Sequence, residues 1–382
     1  MGGERMLVNF FYAQQVGHAI EALQYCLGHA AAVPGREVSV ALNAATAVEL
    51  AAFSPSVTAA YPIDHPFLES CPDSAGRLTP VPRHWDWVVD DTRRHQPLQV
   101  ELFPGMRDYY AASDDHLCTP DGQRSVVGAH RAGYLAHQPL RLELPTTMRA
   151  AAARRLGPGR PAGGRIAVLP AGSSDPSMYP SAASWLLILD ALTDALPEVQ
   201  FVVVGRLARD GRSSTAWGAD DVGILLGHRS RPVDLVDVPL PEQLAVVESS
   251  DVFLAPHTGF GMAALAVGTP WLAISGGRWF EYYFDHVPFR SVLPDTDRFP
   301  SFSQFDPAAV VLDGAEGPRT PSMTRARIAG DLDRIVTAAE ELLTGSLTYE
   351  QALRDYFPAL REAHGGNTSA IWSIDGVHRG YL

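Results

Sequence analysis

The sequence predicts an α/β fold with two domains that face each other across a cleft. Apolar runs of strand length alternate with helical patterns along the chain, and strands alternating with helices form parallel sheets covered on both faces. The alternation stops at a Pro- and Gly-rich segment, 157–164, and then starts again. A length of 382 residues is sufficient for two domains, each with its own core.

In the first half, four strands and three helices are predicted before the linker region. The predicted strands are Leu7–Tyr12, Val38–Leu42, Val57–Tyr61 and Trp85–Val89; one helix begins at His18 and another covers Thr46–Phe53. The region 102–144 is irregular, and no element is assigned to it. A helix over Ala150–Leu156 precedes the Pro/Gly segment.

In the second half, the same alternation predicts another doubly wound sheet. The strands are Arg165–Leu169, Phe201–Val204, Val252–Ala255 and Trp271–Ile274; the helices are Ser181–Leu196, Pro241–Ser249, Phe260–Val267, Ser322–Leu343 and Tyr349–Leu360. The predicted organisation is therefore a Rossmann-like domain over 1–156, a linker over 157–164 and a second Rossmann-like domain over 165–345. The helix and tail of 346–382 are predicted to pack back toward the first domain.

Composition excludes several classes of function. A net charge of −13 argues against a nucleic-acid partner, and no apolar run is long enough to span a membrane. Three widely spaced cysteines without a C-x-x-C pair predict a cytoplasmic protein with neither a disulfide framework nor a structural zinc site. The chain has no lysine, which excludes Schiff-base and Walker A chemistry. The histidines lack metal-ligand spacing, so no metal is expected.

The most informative segment is a strand, turn and helix over Ser249–Pro270. The strand stops at Pro256, and a helix of small residues follows a turn at His257, Thr258, Gly259, Phe260 and Gly261. Backbone amides at such a helix start can hold a diphosphate, and the Thr258 hydroxyl can cap the helix or donate to a phosphate. The alternative is a capped β–α turn that binds nothing.

This turn resembles the donor-binding turn of family 9 glycosyltransferases, the heptosyltransferase-like group, where D-[ST]-G-x-x-H precedes an Ala-rich helix and G-x-P. Here His257 stands in place of the family's Asp, and the family's later His is missing. The His-x-Gly pattern is closer to the diphosphate-binding turn of family 1 glycosyltransferases.

Three other segments are similar to family 9 motifs, in the expected order. Ile166–Ser174 followed by Tyr179-Pro180 is similar to the family's "hPGaS…K-x-W-P" with the lysine replaced by Met178, Phe201–Arg206 is similar to its "vvLtG" strand, and Trp85–Asp90 is similar to its "yDlviDlq" strand. The resemblance implies a GT-B fold and an inverting, metal-independent transferase. Its donor, a nucleotide sugar, would bind in the C-terminal domain, and no cofactor would be needed.

Candidate site residues follow the predicted strands, where doubly wound sheets bind ligands. For the donor, these are Gly172, Ser173, Ser174, Arg206 and Arg278, together with the residues of the turn. For catalysis they are His18, Asp90 and Asp91, and His18 is the preferred base because it begins a helix after the first strand. The alternatives are a helix-capping histidine, an Asx turn and solvated loop arginines.

Two absences favour inversion without a metal. No pair of glutamates spaced as in retaining GT-B enzymes follows Gly259, and the D-x-D of Asp295-Thr296-Asp297 lies in a Pro- and Phe-rich loop that predicts a surface turn. The acceptor would be a small molecule or a glycan, and an Arg-only, Ala/Pro-rich chain is typical of high-GC bacteria. The alternatives are a sugar-nucleotide epimerase on the same fold and a degenerate nucleotide-sugar-binding protein.

Overall fold

The computed structural model describes residues 3–65, 69–90, 100–118, 132–276, 286–300 and 309–368. The chain divides into two compact units between Glu143 and Leu144, and Gly211–Ser213 group with the first unit. The predicted linker, 157–164, therefore lies within the second unit.

The first unit contains a five-stranded parallel sheet. Its strands are β1 (Arg5–Phe10), β2 (Glu37–Asn43), β3 (Ala59–Ile63), β4 (Trp87–Asp90) and β5 (Asp115–Cys118), in the spatial order β3-β2-β1-β4-β5. The order reverses between β1 and β4, where Asn9 lies opposite Asp90 in register. This reversal is the topological switch point of the first sheet, and ligands of such sheets bind beyond the carboxyl ends of the strands there.

Helices and one large apolar cluster complete the first unit. The helices are α1 (Val16–Ala32), α2 (Ser74–Arg77) and α3 (Met106–Ala112), and Val48–Phe53 forms a 3-10 helix where an α-helix was predicted. Trp85, Phe103, Met106 and Tyr109 belong to a buried cluster beside the sheet. The region 102–144, to which the sequence analysis assigned no element, thus contains α3 and β5.

The second unit contains a six-stranded parallel sheet with the same winding. Its strands are β6 (Arg165–Val168), β7 (Gln200–Gly205), β8 (Val233–Val236), β9 (Val252–Pro256), β10 (Trp271–Ile274) and β11 (Phe289–Val292), in the spatial order β11-β10-β9-β6-β7-β8. A separate two-residue pair, β12 (Val311–Leu312) and β13 (Pro318–Arg319), is antiparallel. The order of the main sheet reverses between β6 and β9, which is the switch point of this unit.

The helices of the second unit include one from before the predicted linker. They are α4 (Thr146–Leu156), α5 (Ala182–Ala195), α6 (Ala219–Leu226), α7 (Leu240–Glu248), α8 (Gly259–Ala266), α9 (Arg325–Leu343) and α10 (Tyr349–Ala363). Helix α4 packs on α7, and Arg149 forms an ion pair with Glu248 at 2.7 Å. The sequence analysis had placed α4 in the first domain because the Pro/Gly segment comes after it.

The last helix, α10, packs on the edge strand β11. The rings of Phe289 and Tyr356 meet edge to face at 5.5 Å, and Arg290 forms an ion pair with Asp355 at 2.7 Å. The tail 369–382, predicted to pack toward the first domain, lies outside the described residues.

Two parallel sheets wound in the same order confirm the predicted α/β class with two Rossmann-like domains. The cleft between the domains stays a prediction. Among the helices of the described ranges, none combines the length and apolar character needed to cross a membrane.

Candidate functional site

Two loops meet at the switch point of the second unit. One follows β6 and carries Gly172, and the other is the turn between β9 and α8 at Thr258. A Cβ atom added to Gly172 would lie 2.9 Å from Cγ2 of Thr258 and 2.6 Å from the Tyr179 hydroxyl oxygen. Only a glycine lets the backbone approach so closely, so the two predicted donor-binding segments are in contact.

The turn after β9 forms an N-cap at the start of α8. Thr258 has extended backbone angles (φ −147°, ψ 155°), and its hydroxyl accepts a hydrogen bond from the Gly261 amide at 3.3 Å. The amides of Gly259 and Phe260 precede the first hydrogen bonds inside the helix and point along its positive end. Amides at the start of a helix are the groups to which the sequence analysis assigned diphosphate binding.

Gly261 has a packing role that differs from the one expected of it. Its amide already donates to the carbonyl and the hydroxyl of Thr258. A Cβ atom at this position would lie 2.3 Å from the Trp271 ring, so the missing side chain allows α8 to lie against β10. Glycine is therefore required at position 261 by contact with the core, not by contact with a ligand.

His257 is buried beneath the turn. Its ring packs on Trp271 with a centroid distance of 5.4 Å and an interplanar angle of 32°. Burial lowers the pKa of His257 from the usual 6.5 to about 3, because the charged form would lose its hydration. The side chain is therefore neutral at physiological pH and cannot neutralise a phosphate.

The loop after β6 is braced by its neighbours while its serines stay exposed. The Ser174 amide donates to the Tyr179 hydroxyl at 3.1 Å, and the Ala216 amide donates to the Gly172 carbonyl at 2.6 Å. Burial raises the pKa of Tyr179, so this hydroxyl stays protonated. The side chains of Ser173 and Ser174 remain accessible to a ligand.

Arg206 follows β7, which neighbours β6 in the sheet. Its guanidinium forms an ion pair with Asp210 in its own loop. The amides of Leu207 and Ala208 donate to Oδ1 of Asp237 at 2.7 and 3.0 Å, which fixes the start of that loop. Arg206 thus lies at the same edge of the sheet as the turn, but a phosphate would compete with Asp210 for it.

Asp90 lies at the switch point of the first unit and is buried. Only 1% of its surface is exposed. Its Oδ1 accepts from Asn9 Nδ2 and its Oδ2 from the Tyr110 hydroxyl, each at 2.6 Å. Because both oxygens are engaged, Asp90 connects β1, β4 and α3, which is a structural role.

His18 lies in the first turn of α1, beside the same switch point. Its Nδ1 is 3.3 Å from Oε2 of Glu21, and 22% of its side chain is exposed, against 2% for Glu21. The two side chains are at ion-pair distance, and a carboxylate beside Nδ1 is the arrangement that orients the histidine of a general base, with Nε2 as the accepting nitrogen. The sequence analysis identified His18 but missed Glu21, although the His-x-x-Glu spacing on one helix face could have revealed it.

Three further residues that the sequence analysis considered are Asp91, Arg278 and Asp295. Asp91 and Arg278 lie outside the described residues. Asp295 is exposed, and its Oδ1 accepts from the amides of Asp297 and Arg298, at 3.1 and 3.3 Å. The D-x-D sequence is thus a surface Asx turn, as its composition predicts.

Comparison with known proteins identifies the fold. No protein-family model and no curated protein matches the sequence. Among solved structures, a glycosyl transferase of family 9 from Veillonella parvula DSM 2008 superposes with a TM-score of 0.60 and 13% identity, covering 90% of this chain and 99% of that chain. ADP-heptose LPS heptosyltransferase II from E. coli superposes with a TM-score of 0.52 and 15% identity, covering 88% and 99% of the two chains. These similarities confirm the predicted GT-B fold and its likeness to the family 9 enzymes at the level of the fold.

Proposed function

We propose that this chain, which has the fold of the GT-B glycosyltransferases, is an inverting transferase. It moves a sugar from a nucleotide-sugar donor to a hydroxyl group of a small molecule or glycan. In this proposal the donor binds at the switch point of the second unit, the acceptor binds beside His18 in the first unit, and the transfer needs no metal.

The contact between Gly172 and Thr258 is the observation that carries the proposal. It joins the two predicted donor-binding segments at the reversal between β6 and β9. Sheets wound in this order bind nucleotides at this place, beyond the carboxyl ends of their strands. A capped turn without a ligand would not need a second loop held against it by a glycine.

The donor diphosphate would rest on the amides of Gly259 and Phe260, with the exposed hydroxyls of Ser173 and Ser174 facing it. Fixed amide dipoles stabilise the charge that develops on the leaving diphosphate without reorganising during the reaction. Arg206 could add a positive charge by exchanging Asp210 for a phosphate. His257, which is neutral and buried, would support the turn from beneath.

His18 would act as the base. The acceptor hydroxyl gives its proton to Nε2 of His18 while its oxygen forms a bond to the anomeric carbon. The bond from that carbon to the diphosphate oxygen breaks, and the nucleoside diphosphate leaves with the electron pair. Attack opposite the leaving group inverts the anomeric configuration. Glu21, which lies beside Nδ1, would orient the imidazole.

A thermal-shift screen followed by a turnover assay tests the function. We expect a nucleoside diphosphate and its sugar derivatives to raise the melting temperature, because a ligand that binds only the folded state stabilises it by mass action. The preferred nucleotide sugar is then incubated with candidate acceptors, and the product and its anomeric configuration are determined by mass spectrometry and NMR.

The outcomes separate the proposal from its alternatives. Donor conversion without any acceptor would identify an epimerase, and tight binding without turnover would identify a binding protein. A product with retained configuration would contradict the inverting mechanism.

A further inference from the structure

Three side chains of types that can bind metals meet at the amino-terminal end of the strands of the first sheet. His18 lies at the opposite, carboxyl-terminal end. The three residues are His84 and Asp86, which precede β4, and Asp114, which precedes β5. A ring nitrogen of His84 and one carboxylate oxygen from each aspartate all lie within 4.8 Å of one another. These residues are at the amino ends of their strands, about 13 Å from the carboxyl ends given the rise per residue of a four-residue strand.

The backbone holds the three residues in place. The Asp114 amide donates to the Trp85 carbonyl, and the Asp86 amide donates to the Arg5 carbonyl, each at 3.0 Å. One carboxylate oxygen of Asp86 accepts from the Arg5 amide at 2.6 Å, which leaves its other oxygen for a ligand. Trp85, between the two ligating residues of this segment, is fully buried. The cluster is thus anchored to the sheet at each of its segments.

The histidine is oriented as a metal ligand. Nδ1 of His84 lies 2.9 Å from the Ala112 carbonyl, so that nitrogen carries the proton and Nε2 presents its lone pair. Nε2 is 3.9 Å from Oδ2 of Asp114. Protein histidines that bind metals characteristically donate their second nitrogen to a backbone carbonyl or carboxylate in this way.

The types of the three ligand atoms indicate which metal ion would bind. Imidazole with two carboxylates suits Zn²⁺, whereas Ca²⁺ and Mg²⁺ prefer oxygen ligands only. Tetrahedral Zn²⁺ with bonds of about 2.0 Å separates its ligand atoms by about 3.3 Å, so the 3.9 Å gap closes by a small side-chain rotation. The side chains of His84 and Asp114 are 64% and 65% exposed, so both can rotate without a clash. Water can supply the remaining ligand of the ion.

We propose that His84, Asp86 and Asp114 form a Zn²⁺ site that links the start of β4 to the start of the edge strand β5. The ion would neutralise two adjacent carboxylates. The site is separate from the proposed transfer reaction and does not depend on it.

Titration calorimetry of the full chain, dialysed first against EDTA and then against chelator-free buffer, tests this proposal with ZnCl₂ as the probe. We expect one Zn²⁺ per chain, and visible d–d absorption of tetrahedral character when Co²⁺ replaces it. His84→Ala and Asp114→Asn should each weaken Zn²⁺ binding by about 10–100-fold or more, as changes at zinc sites do.

Two matched variants serve as controls. His137→Asn removes another exposed histidine and suits its left-handed backbone, with φ at 60°, and Asp295→Asn changes another exposed aspartate in a turn; both should bind Zn²⁺ like the wild type. All four variants should melt at the wild-type temperature in EDTA, because the altered side chains are exposed. The proposal is overturned if the wild type binds no Zn²⁺ at this stoichiometry, or if the His84 and Asp114 variants bind it as tightly as the controls do.

Discussion

At the scale of single residues, two histidines near the switch points have opposite surroundings. His18 is partly exposed with a buried carboxylate beside its Nδ1, while His257 is enclosed against Trp271. The sequence placed both after strands but could not distinguish their burial, since burial depends on strands and helices distant in the chain. The sequence therefore did not predict the packing of His257 on Trp271, nor the carboxylate of Glu21 beside His18.

For His18, the substitution to alanine should lower kcat by about 10²–10⁴-fold, the usual contribution of a general base. The dissociation constant of the nucleoside diphosphate should stay unchanged, because the donor is proposed to bind on the second unit. Steady-state kinetics and calorimetry measure the two quantities. Glu21→Gln, which keeps the shape but removes the charge, should lower kcat less than His18→Ala does.

Wild-type turnover by the His18→Ala variant would show that this histidine only begins the helix. In that case, loss of turnover in an Asp91→Ala variant would transfer the role of base to that residue.

For His257, the lowered pKa makes stability depend on pH. The unfolded chain takes up a proton on this histidine near pH 6.5, whereas the folded chain does so only near pH 3. The contribution of His257 to the free energy of unfolding is therefore fully present above pH 6.5. It is lost as the pH falls toward 3, at up to about 1.4 kcal/mol per pH unit. Urea unfolding between pH 7 and pH 4 should show a shallower decline for His257→Phe than for the wild type. The control His137→Asn should keep the wild-type slope, and equal slopes for all three proteins would contradict the burial of His257.

At the scale of elements, sequence periodicity identified the central strands of the two large sheets and missed three of their four edge strands. Central strands such as β6 and β9 are continuous apolar runs, because both of their faces are covered. The strands β5, β8 and β11 were not predicted, and each is at the edge of its sheet. Edge strands carry polar residues such as Asp234 and Arg290, and their short alternating patterns resemble loops.

The contact between the β6 loop and the β9–α8 turn predicts the effect of a single methyl group. Gly172→Ala would place Cβ against Thr258 and the Tyr179 hydroxyl, so the two loops must separate. We expect nucleoside diphosphate binding to weaken by about 1–3 kcal/mol, the cost of one or two lost hydrogen bonds. Calorimetry measures the change, and adding Tyr179→Phe should recover part of it by removing one of the two clashing atoms.

The matched control is Gly223→Ala, an exposed helical glycine whose added Cβ would meet nothing within 4 Å. This variant should bind the nucleotide like the wild type. If Gly172→Ala, correctly folded, also binds normally, the donor site is elsewhere.

At the scale of the whole molecule, the two sheets repeat one strand order, and this repetition was predictable. Alternation of strands and helices, interrupted and then resumed, was sufficient to infer two Rossmann-like domains. The boundary was less predictable. Proline and glycine mark the segment 157–164, but the packing of α4 on α7 assigns the preceding helix to the second unit. A tertiary contact of this kind has no signature in local composition.

The proposed donor site uses amides, hydroxyls and an arginine, so nucleotide binding should not require a divalent ion. Calorimetry in excess EDTA should give the same nucleoside diphosphate dissociation constant as calorimetry in buffer with Mg²⁺. The chelator would also remove an ion from the proposed site at His84. That site lies at the amino-terminal end of the first sheet, so its loss should not change nucleotide binding on the second unit. Binding that disappears in EDTA and returns with Mg²⁺ would contradict metal independence.

The reversed strand order also has a consequence for synthesis on the ribosome. Each switch point joins strands made far apart in time: Asn9 bonds to Asp90, 81 residues later, and Arg165 bonds to Asp251, 86 residues later. At about 5–20 residues per second, the nascent strand β6 waits roughly 4–17 s for its neighbour β9. During that interval an apolar strand edge is exposed to other chains. Chaperones that cover this edge during translation should therefore raise the yield of folded protein.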